Sequence, residues 1–347
     1  MVNKSFYIER SFTGDLEELR NLFLTEYSSN DPICNYHHLK WQYEFNPHGA
    51  AIITCAREHT TNKLVGVYIV NPLWQWLHGE KVLAALSLNT FTHKEHRGQG
   101  MFTALADACY EISKERNIQY IIGFPNRMSY GGFVMKLGFA NLGSIDYLIK
   151  PLNYLNLIKN FLLKSLVFPD LSSIISENHK QIIKVDKESL NKMDSFFEQH
   201  RKVCHYQTYR SSAHYKWRFF DNPTHKYRIF AQRGLDNRIS SVLVIKEISS
   251  ITDDIQIVDF CCLDELSGTV IIKFLLSVAK TKFSMVRVFA QPKTLESLVL
   301  AKLGFFKKDT FLRNKGFLPF IYKDLRNNDK NIPFKKWHIS MADTDVV

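Results

Sequence analysis

Apolar residues in the first 150 positions switch between two spacings, and each switch marks an element. Alternation predicts strands over 6–12, 50–56, 63–70, 81–92, 119–124 and 140–152. Spacings of three and four predict helices. Leu16, Leu19, Leu22 and Phe23 form one face over 15–27, and Met101, Leu105, Ala108 and Ile112 another from 101 to about 116. A short helix carries 39–43 and stops at Asn46-Pro47, because proline disfavours helical backbone in the residue before it. A second short helix over 129–136 ends at Gly138, a residue suited to a helix terminus.

The pattern then repeats. His38-Leu39-Lys40-Trp41-Gln42-Tyr43, followed by Asn46-Pro47, matches His214-Tyr215-Lys216-Trp217-Arg218-Phe219, followed by Asn222-Pro223, at a constant offset of 176. Strand patterns over 226–232 and 239–246 follow the second block as 50–56 and 63–70 follow the first. Lys136-Leu137-Gly138-Phe139 matches Lys302-Leu303-Gly304-Phe305 at an offset of 166. The chain therefore reads as a duplication, with domains over 1–150 and 178–325. Apolar residues at 152, 155, 158, 161, 162 and 166 predict a helical linker over 151–177. We expect it to pack between the domains in preference to lying on a membrane. Residues 326–347 show no periodic core signal and read as a loosely held polar tail. The fold class is α/β (α+β): two domains, each a mixed, mostly antiparallel sheet flanked by helices.

Composition narrows the picture. At 347 residues, with 45% hydrophobic and 23% charged positions, the chain is globular, and 26 Phe and 15 Tyr imply aromatic cores. No basic-then-apolar leader opens it, and no run approaches the roughly 20 apolar residues of a membrane span. Six cysteines without C-x-x-C spacing predict free thiols, a cytosolic protein and no metal. Residues 1–150 hold 14 basic and 14 acidic side chains, so the net charge of +11 falls entirely in the remainder. No zinc-finger spacing or RNA-reading aromatic motif accompanies that charge, and no nucleic acid is expected.

Candidate chemistry sits between the strand over 81–92 and the helix from 101. In Arg97-Gly98-Gln99-Gly100-Met101-Phe102, two glycines allow a tight turn and close approach to a ligand. The helix that follows has unpaired N–H groups and a partial positive charge at its start, which suits a pyrophosphate, and Arg97 adds charge. This loop, with Leu137-Gly138-Phe139 about forty residues on, resembles the GNAT acetyltransferase superfamily. Its coenzyme A loop reads Arg/Gln-x-x-Gly-x-Gly/Ala, and Arg97, Gly100 and Phe102 fall on its fixed positions; Phe102 departs from the small residue of the last. The Trp-x-x-x-x-Asn-Pro pattern of both copies resembles a GNAT subgroup met in bacterial surface-polysaccharide gene clusters.

The resemblance implies an acyl-CoA-dependent N-acyltransferase, with acetyl-CoA or another short acyl-CoA as co-substrate and no metal. It implies that backbone near Thr90, Phe91 and Thr92 meets the acyl-pantetheine arm, and that Gly98, Gln99, Gly100, Met101 and Phe102 cradle the phosphates with Arg97. The family's usual tyrosine acid corresponds to Val134 here. Tyr130, one helical turn earlier, is the substitute acid, with half-buried packing as the alternative reading. Asn126 matches a position that touches the coenzyme arm, or else caps the next helix. Ser87 and Asn89, expected on one face of the strand over 81–92, are candidates to hold a relay water. His93, Glu95 and His96 at the loop mouth are weaker candidates for a base. In the second copy Asp264, Glu265 and the single Gly268 oppose phosphate binding, so that copy reads as inactive toward coenzyme A. Cys261 and Cys262 read as buried thiols. The expected acceptor is a primary amine, on an amino sugar by family association. The alternatives are a protein or peptide amine, or a non-catalytic acyl-CoA-binding scaffold. The protein is expected as a monomer or homodimer.

Overall fold

Strand and helix follow the apolar spacing closely through the first 150 residues. In the computed structural model, which describes residues 5–152, 181–234, 236–248, 254–280, 282–308, 318–326 and 333–344, these are β1 (Phe6–Glu9), α1 (Leu16–Phe23), α2 (Tyr36–Tyr43), β2 (Ile52–Glu58), β3 (Leu64–Leu77), β4 (Glu80–Thr92), α3 (Met101–Glu115), β5 (Tyr120–Gly123) and β6 (Ala140–Ser144). A single wide π-helical turn, Gly132–Lys136, stands where a short helix was expected. Asp15 caps α1 by accepting from Glu17 N at 3.2 Å, and Asn35 caps α2 by accepting from His38 N at 3.1 Å. His78 and Gly79, both at positive φ, make the two-residue turn that joins β3 to β4.

The chain forms two units by contact, one of Met1–Gly143, Asp221–Thr224 and Pro319–Ile332, the other of Ser144–Phe220, His225–Leu318 and Pro333–Val347. These differ from the expected boundaries at 150 and 178–325. The first sheet runs β1-β2-β3-β4-β5, then the strand Pro319–Asp324, then β6. That late strand pairs antiparallel with β5, Ile321 opposite Gly123. α3 covers one face, with Met101, Leu105 and Cys109 in a core shared with Tyr68, Val70 and Ile121. α1 and α2 cover the other, with Leu19, Phe23, Leu39 and Tyr43 against Val67, Ile69 and Leu88.

The second unit contains β7 (Asp146–Pro151), β8 (Ile182–Val185), α4 (Asp194–Val203), β9 (Tyr206–Thr208), α5 (Ser212–Tyr215), β10 (Arg228–Arg233), β11 (Ile239–Ile248), β12 (Asp254–Cys262), α6 (Glu265–Ala279), β13 (Met285–Ala290), α7 (Leu295–Lys302) and β14 (Phe306–Lys307). Downstream lie β15, the strand Pro319–Asp324 of the first sheet, and β16 (Trp337–His338), which pairs parallel with β9. The sheet of the second unit runs β8-β10-β11-β12-β13-β7-β14 and so repeats the order of the seven strands given for the first. The duplication has one crossing: β7 follows the first copy but completes the second sheet, while β15 follows the second copy and completes the first. Small features repeat too. Ser211 caps the second block by accepting from His214 N, 176 residues after Asn35, and Gly138 and Gly304 are both left-handed at φ 68° and 79°.

One expectation changes. The segment 333–344 is not a loose tail: Trp337, Ile339 and Met341 are buried, and Asp343 accepts from Arg210. Its apolar residues alternate with polar ones that are paired inside, which hides any periodic signal. The predicted linker helix lies almost wholly outside the described residues. Cys261 and Cys262 are both buried, as expected of structural thiols. No helix among the described residues is long and apolar enough to cross a membrane.

One surface network of the first unit sets an acid limit. Arg57 donates to Glu9 Oε2 at 2.7 Å and to both Glu18 oxygens at 2.6 and 2.9 Å. Burial alone would raise the Glu9 pKa, but bonds from Arg57, Thr13 and Cys55 outweigh it and hold the carboxyl at about 2. A depressed pKa gives stability that is complete above the unfolded value near 4.5 and is lost as pH falls toward 2. Urea midpoints should fall between pH 5 and 3 by an amount on the order of 2 kcal/mol. In Arg57→Met the protein should start less stable and show a flatter dependence over that window.

Candidate active site

The β4–β5 pairing is short. Ala85, Leu86 and Ser87 pair with Ile121, Ile122 and Gly123, where β5 ends. Beyond Ser87, β4 keeps β3 on its other side, through Leu88, Phe91 and Thr92, but has no register with β5. The pairing with β3 also slips, since two steps of β3 (Val67 to Ile69) face three steps of β4 (Phe91 to Leu88). Asn89 and Thr90 form this bulge, and Asn89 is left-handed at φ 50°. A bulged strand that loses one neighbour presents backbone N–H and C=O groups to whatever enters the gap. Two buried polar atoms there lack hydrogen-bond partners among the described residues, Thr90 Oγ1 and His93 Nδ1.

The bulge corrects one expectation. Ser87 and Asn89 do not share a face. Ser87 Oγ donates to Tyr68 OH at 3.1 Å, on the α3 side, and Tyr68 OH lies 2.9 Å from Tyr110 OH. Burial pushes both phenols well above their ordinary pKa. The left-handed turn at Asn89 sends its Nδ2 to the opposite side, where it donates to Gln42 Oε1 at 3.0 Å and Tyr43 OH at 2.7 Å. The repeated helix α2 thus braces the bulge, a role hidden in the sequence because regular alternation puts i and i+2 together.

At the end of β4 the loop residues take distinct parts. Gly98 and Gly100 sit at φ 80° and 78°, with nothing within 4 Å of an added Cβ at either, so backbone conformation and not space demands glycine. Gly100 is the N-cap of α3, no side chain caps the helix, and its first turn carries no acidic residue. The N–H groups that open a 15-residue helix therefore face outward with its positive end. Met101 is buried, its sulfur so close to Gly66 that a Cβ there would overlap it, so only Met101 backbone can meet a ligand. Gln99 Oε1 accepts from Ser5 Oγ at 2.8 Å. Arg97 donates to Thr92 O at 3.1 Å and pairs with the Glu26 carboxylate, so its charge is already shared.

Phe102 stands where the family pattern has a small residue. Its ring meets Phe133 edge-on at 5.4 Å and lies against Gly132, where a Cβ would stand 3.2 Å away. The bulk gained at one position is matched by the side chain missing at the other. Tyr130 and Val134 both pack partly buried on the same core, and Asn141 Nδ2 donates to Tyr130 OH at 2.9 Å. Asn126 Oδ1 accepts from Met128 N and Ser129 N at 3.0 Å each, so it acts as the cap of the turn. Of the loop-mouth candidates, His96 is held between Ser5 Oγ at 3.3 Å and Glu58, 3.7 Å away, and Glu95 is exposed.

In the second unit the equivalent helix α6 also has 15 residues, but Asp264 caps it, accepting from Ser267 N at 2.8 Å. A carboxylate already occupies the place an incoming phosphate would take, and Glu265 follows it.

The comparisons agree with this geometry. Residues 14–141 match the family model described as an acetyltransferase (GNAT) domain. No curated protein matches the sequence. Among solved structures, a GCN5-related N-acetyltransferase from Anabaena variabilis aligns with 92% of this chain and 73% of its own, at 14% identity and a TM-score of 0.63. The N-myristoyltransferase of Saccharomyces cerevisiae with bound myristoyl-CoA aligns with 97% and 85%, at 13% identity and 0.61. A probable N-acyltransferase of Enterococcus faecalis aligns with 92% and 73%, at 10% identity and 0.63. At these identities the structures speak for the fold, two mixed sheets of one design, and the family model speaks for the first of them. Residues 14–141 thus match an acetyltransferase (GNAT) domain, in a chain whose two mixed sheets have the fold of these N-acyltransferase structures.

Proposed function

We propose that the first unit transfers a short acyl group, acetyl in the first instance, from coenzyme A to a primary amine. The observation that carries this is the uncapped start of α3, with its two left-handed glycines, standing at the end of the β4 stretch that has no β5 partner. The pyrophosphate meets the α3 N–H groups, and the pantetheine arm takes the place of the missing strand beside Thr90, Phe91 and Thr92. An N–H of that stretch polarises the thioester carbonyl. The neutral amine attacks the carbonyl carbon, the C–S bond breaks, and the amide nitrogen loses its extra proton while the thiolate gains one. Tyr130 is the proton donor, and the bond it accepts from Asn141 Nδ2 favours release of the phenolic proton. Ser87, tied to the buried Tyr68 and Tyr110, lines the base of the gap. Asn89 acts by holding the bulge.

The acceptor we favour is an amino sugar, on the likeness of the repeated Trp-x-x-x-x-Asn-Pro blocks to the surface-polysaccharide subgroup. The six free cysteines fit the cytosolic location expected. We assign coenzyme A to the first unit alone, because Asp264 fills the equivalent helix start in the second. Calorimetric titration with acetyl-CoA should therefore give one site per chain. Two sites would overturn the reading of the second unit, and no binding would overturn the function. Turnover on amino sugars but not on peptides is the expected acceptor profile; activity on peptides alone refutes the sugar.

A further inference from the structure

The second unit buries a polar cluster that the acyl-transfer reading does not use. Asp259, Glu296 and Asp343 are each less than a tenth exposed, and one guanidinium serves the first and last of them. Arg210 donates to both oxygens of Asp259 at 2.9 and 3.0 Å and to Asp343 Oδ2 at 3.0 Å. Glu296 receives nothing from it. Its neighbours are two histidines and one backbone N–H: His200 Nε2 lies 3.3 Å from Glu296 Oε1, His338 Nδ1 lies 3.4 Å from Glu296 Oε2, and Cys262 N donates to Oε1 at 3.4 Å. Glu296 and both histidines are buried, and one ligand atom from each lies within 4.8 Å of the other two.

Hydrogen bonding around the cluster fixes which way the His200 lone pair points. Gln207 Nε2 donates to Cys204 O at 2.7 Å, so Gln207 Oε1 is the acceptor facing His200 Nδ1 at 3.0 Å. With its proton on Nδ1, His200 turns the Nε2 lone pair onto a carboxylate oxygen. Two acceptors face each other, and a cation belongs between them. The separations are long for charge-assisted hydrogen bonds, which run about 2.7–2.9 Å. Each is close to the about 3.3–3.4 Å between two ligands that stand about 2.0–2.1 Å from a tetrahedral ion, and because the histidines face different oxygens, Glu296 would hold the ion through both.

We infer that the second unit binds a zinc ion through His200 Nε2, Glu296 and His338 Nδ1. The outer contacts are those of a metal site. Gln207 orients His200, and Cys261 Sγ at 3.5 Å and Asp259 Oδ1 at 3.8 Å from His338 Nε2 stand behind the second histidine. A divalent ion also balances the carboxylates that Arg210 leaves uncompensated. A cavity of about 10 Å³ beside Glu296 and His338, enough for one water, offers the fourth position. Gln291 lines it with a buried Oε1 that has no partner among the described residues. The ligands come from α4, α7 and β16, so the ion ties residues 200, 296 and 338 together in one structural clamp. Their wide spacing leaves no local motif, and hence no metal was expected from the sequence.

Metal analysis of the full-length protein, purified without chelator and dialysed against zinc and then buffer, should find about one zinc per chain. Unfolding in guanidinium with a chelator and refolding with zinc should raise Tm by about 5–10 °C over refolding without it. His338→Asn and His200→Gln should each lose the zinc and the zinc-dependent rise in Tm. The proposal is overturned by a wild-type protein that retains no zinc and shows no Tm response, the two histidines then holding Glu296 by protons alone. It is equally overturned if both variants retain zinc at the wild-type ratio.

Discussion

Gly100→Glu should lower kcat/KM for acetyl-CoA by at least about a hundredfold, roughly 2.7 kcal/mol or more of lost transition-state binding, while the protein stays folded. An added Cβ at Gly100 meets nothing within 4 Å, so there is no clash to repair. Strain at φ 78° costs about 1 kcal/mol, and a carboxylate at a helix start offsets part of it. The same carboxylate stands at the helix start proposed for the pyrophosphate and would repel it, as a carboxylate, Asp264, already caps the equivalent helix of the second unit. Gly100→Ala separates the two effects: it carries the backbone strain without the charge and should keep most of its coenzyme A affinity. Steady-state kinetics and titration of both variants provide the check. If the glutamate variant binds and turns over like wild type, the loop assignment fails.

The second large effect concerns stability. Arg210→Met should destabilise the protein by about 3–5 kcal/mol, read as a fall in the urea midpoint or as loss of soluble protein. The guanidinium is buried and makes bonds to Asp259, Asp343, Ser340 Oγ and Thr208 O. Asp343 also accepts from Ser340 N at 2.8 Å, so the cation fastens a C-terminal turn onto β12. Removing it leaves two carboxylates buried against each other. Arg210→Lys retains the charge but not the planar fork that reaches both acids, and an intermediate loss is expected. A midpoint unchanged in Arg210→Met would show that the cluster contributes little.

Much of the first unit was legible because its signals are local. The apolar spacing placed α3 to within a residue, and the glycines of the loop needed no tertiary information to suggest a turn. The second copy was legible through the block at 214–219, whose helix cap repeats at the same offset as its tryptophan. What the sequence hid are features made by distant partners. The face of Asn89 depends on a bulge, and a bulge depends on how β3 is paired. The packing of Phe102 depends on Gly132, thirty residues away. The burial of 333–344 depends on Arg210 and Asp259, and alternating polar residues there look like a solvated tail until their partners are known. Asn126 shows the opposite case, where one residue type suits two roles and only its bonds to Met128 and Ser129 distinguish the cap.

The crossing of β7 and β15 bears on synthesis. β5 ends at Gly123, and the strand that pairs with it begins at Pro319. A nascent chain that has delivered the whole glycine loop still lacks the second neighbour of β5, which is made about 200 residues after β5 itself. Until then the β5 edge, with Ile121 and Ile122, is open to any other strand. The second sheet has no such wait, since β7 is made before the rest of it. The half that carries the glycine loop is thus started first and closed last.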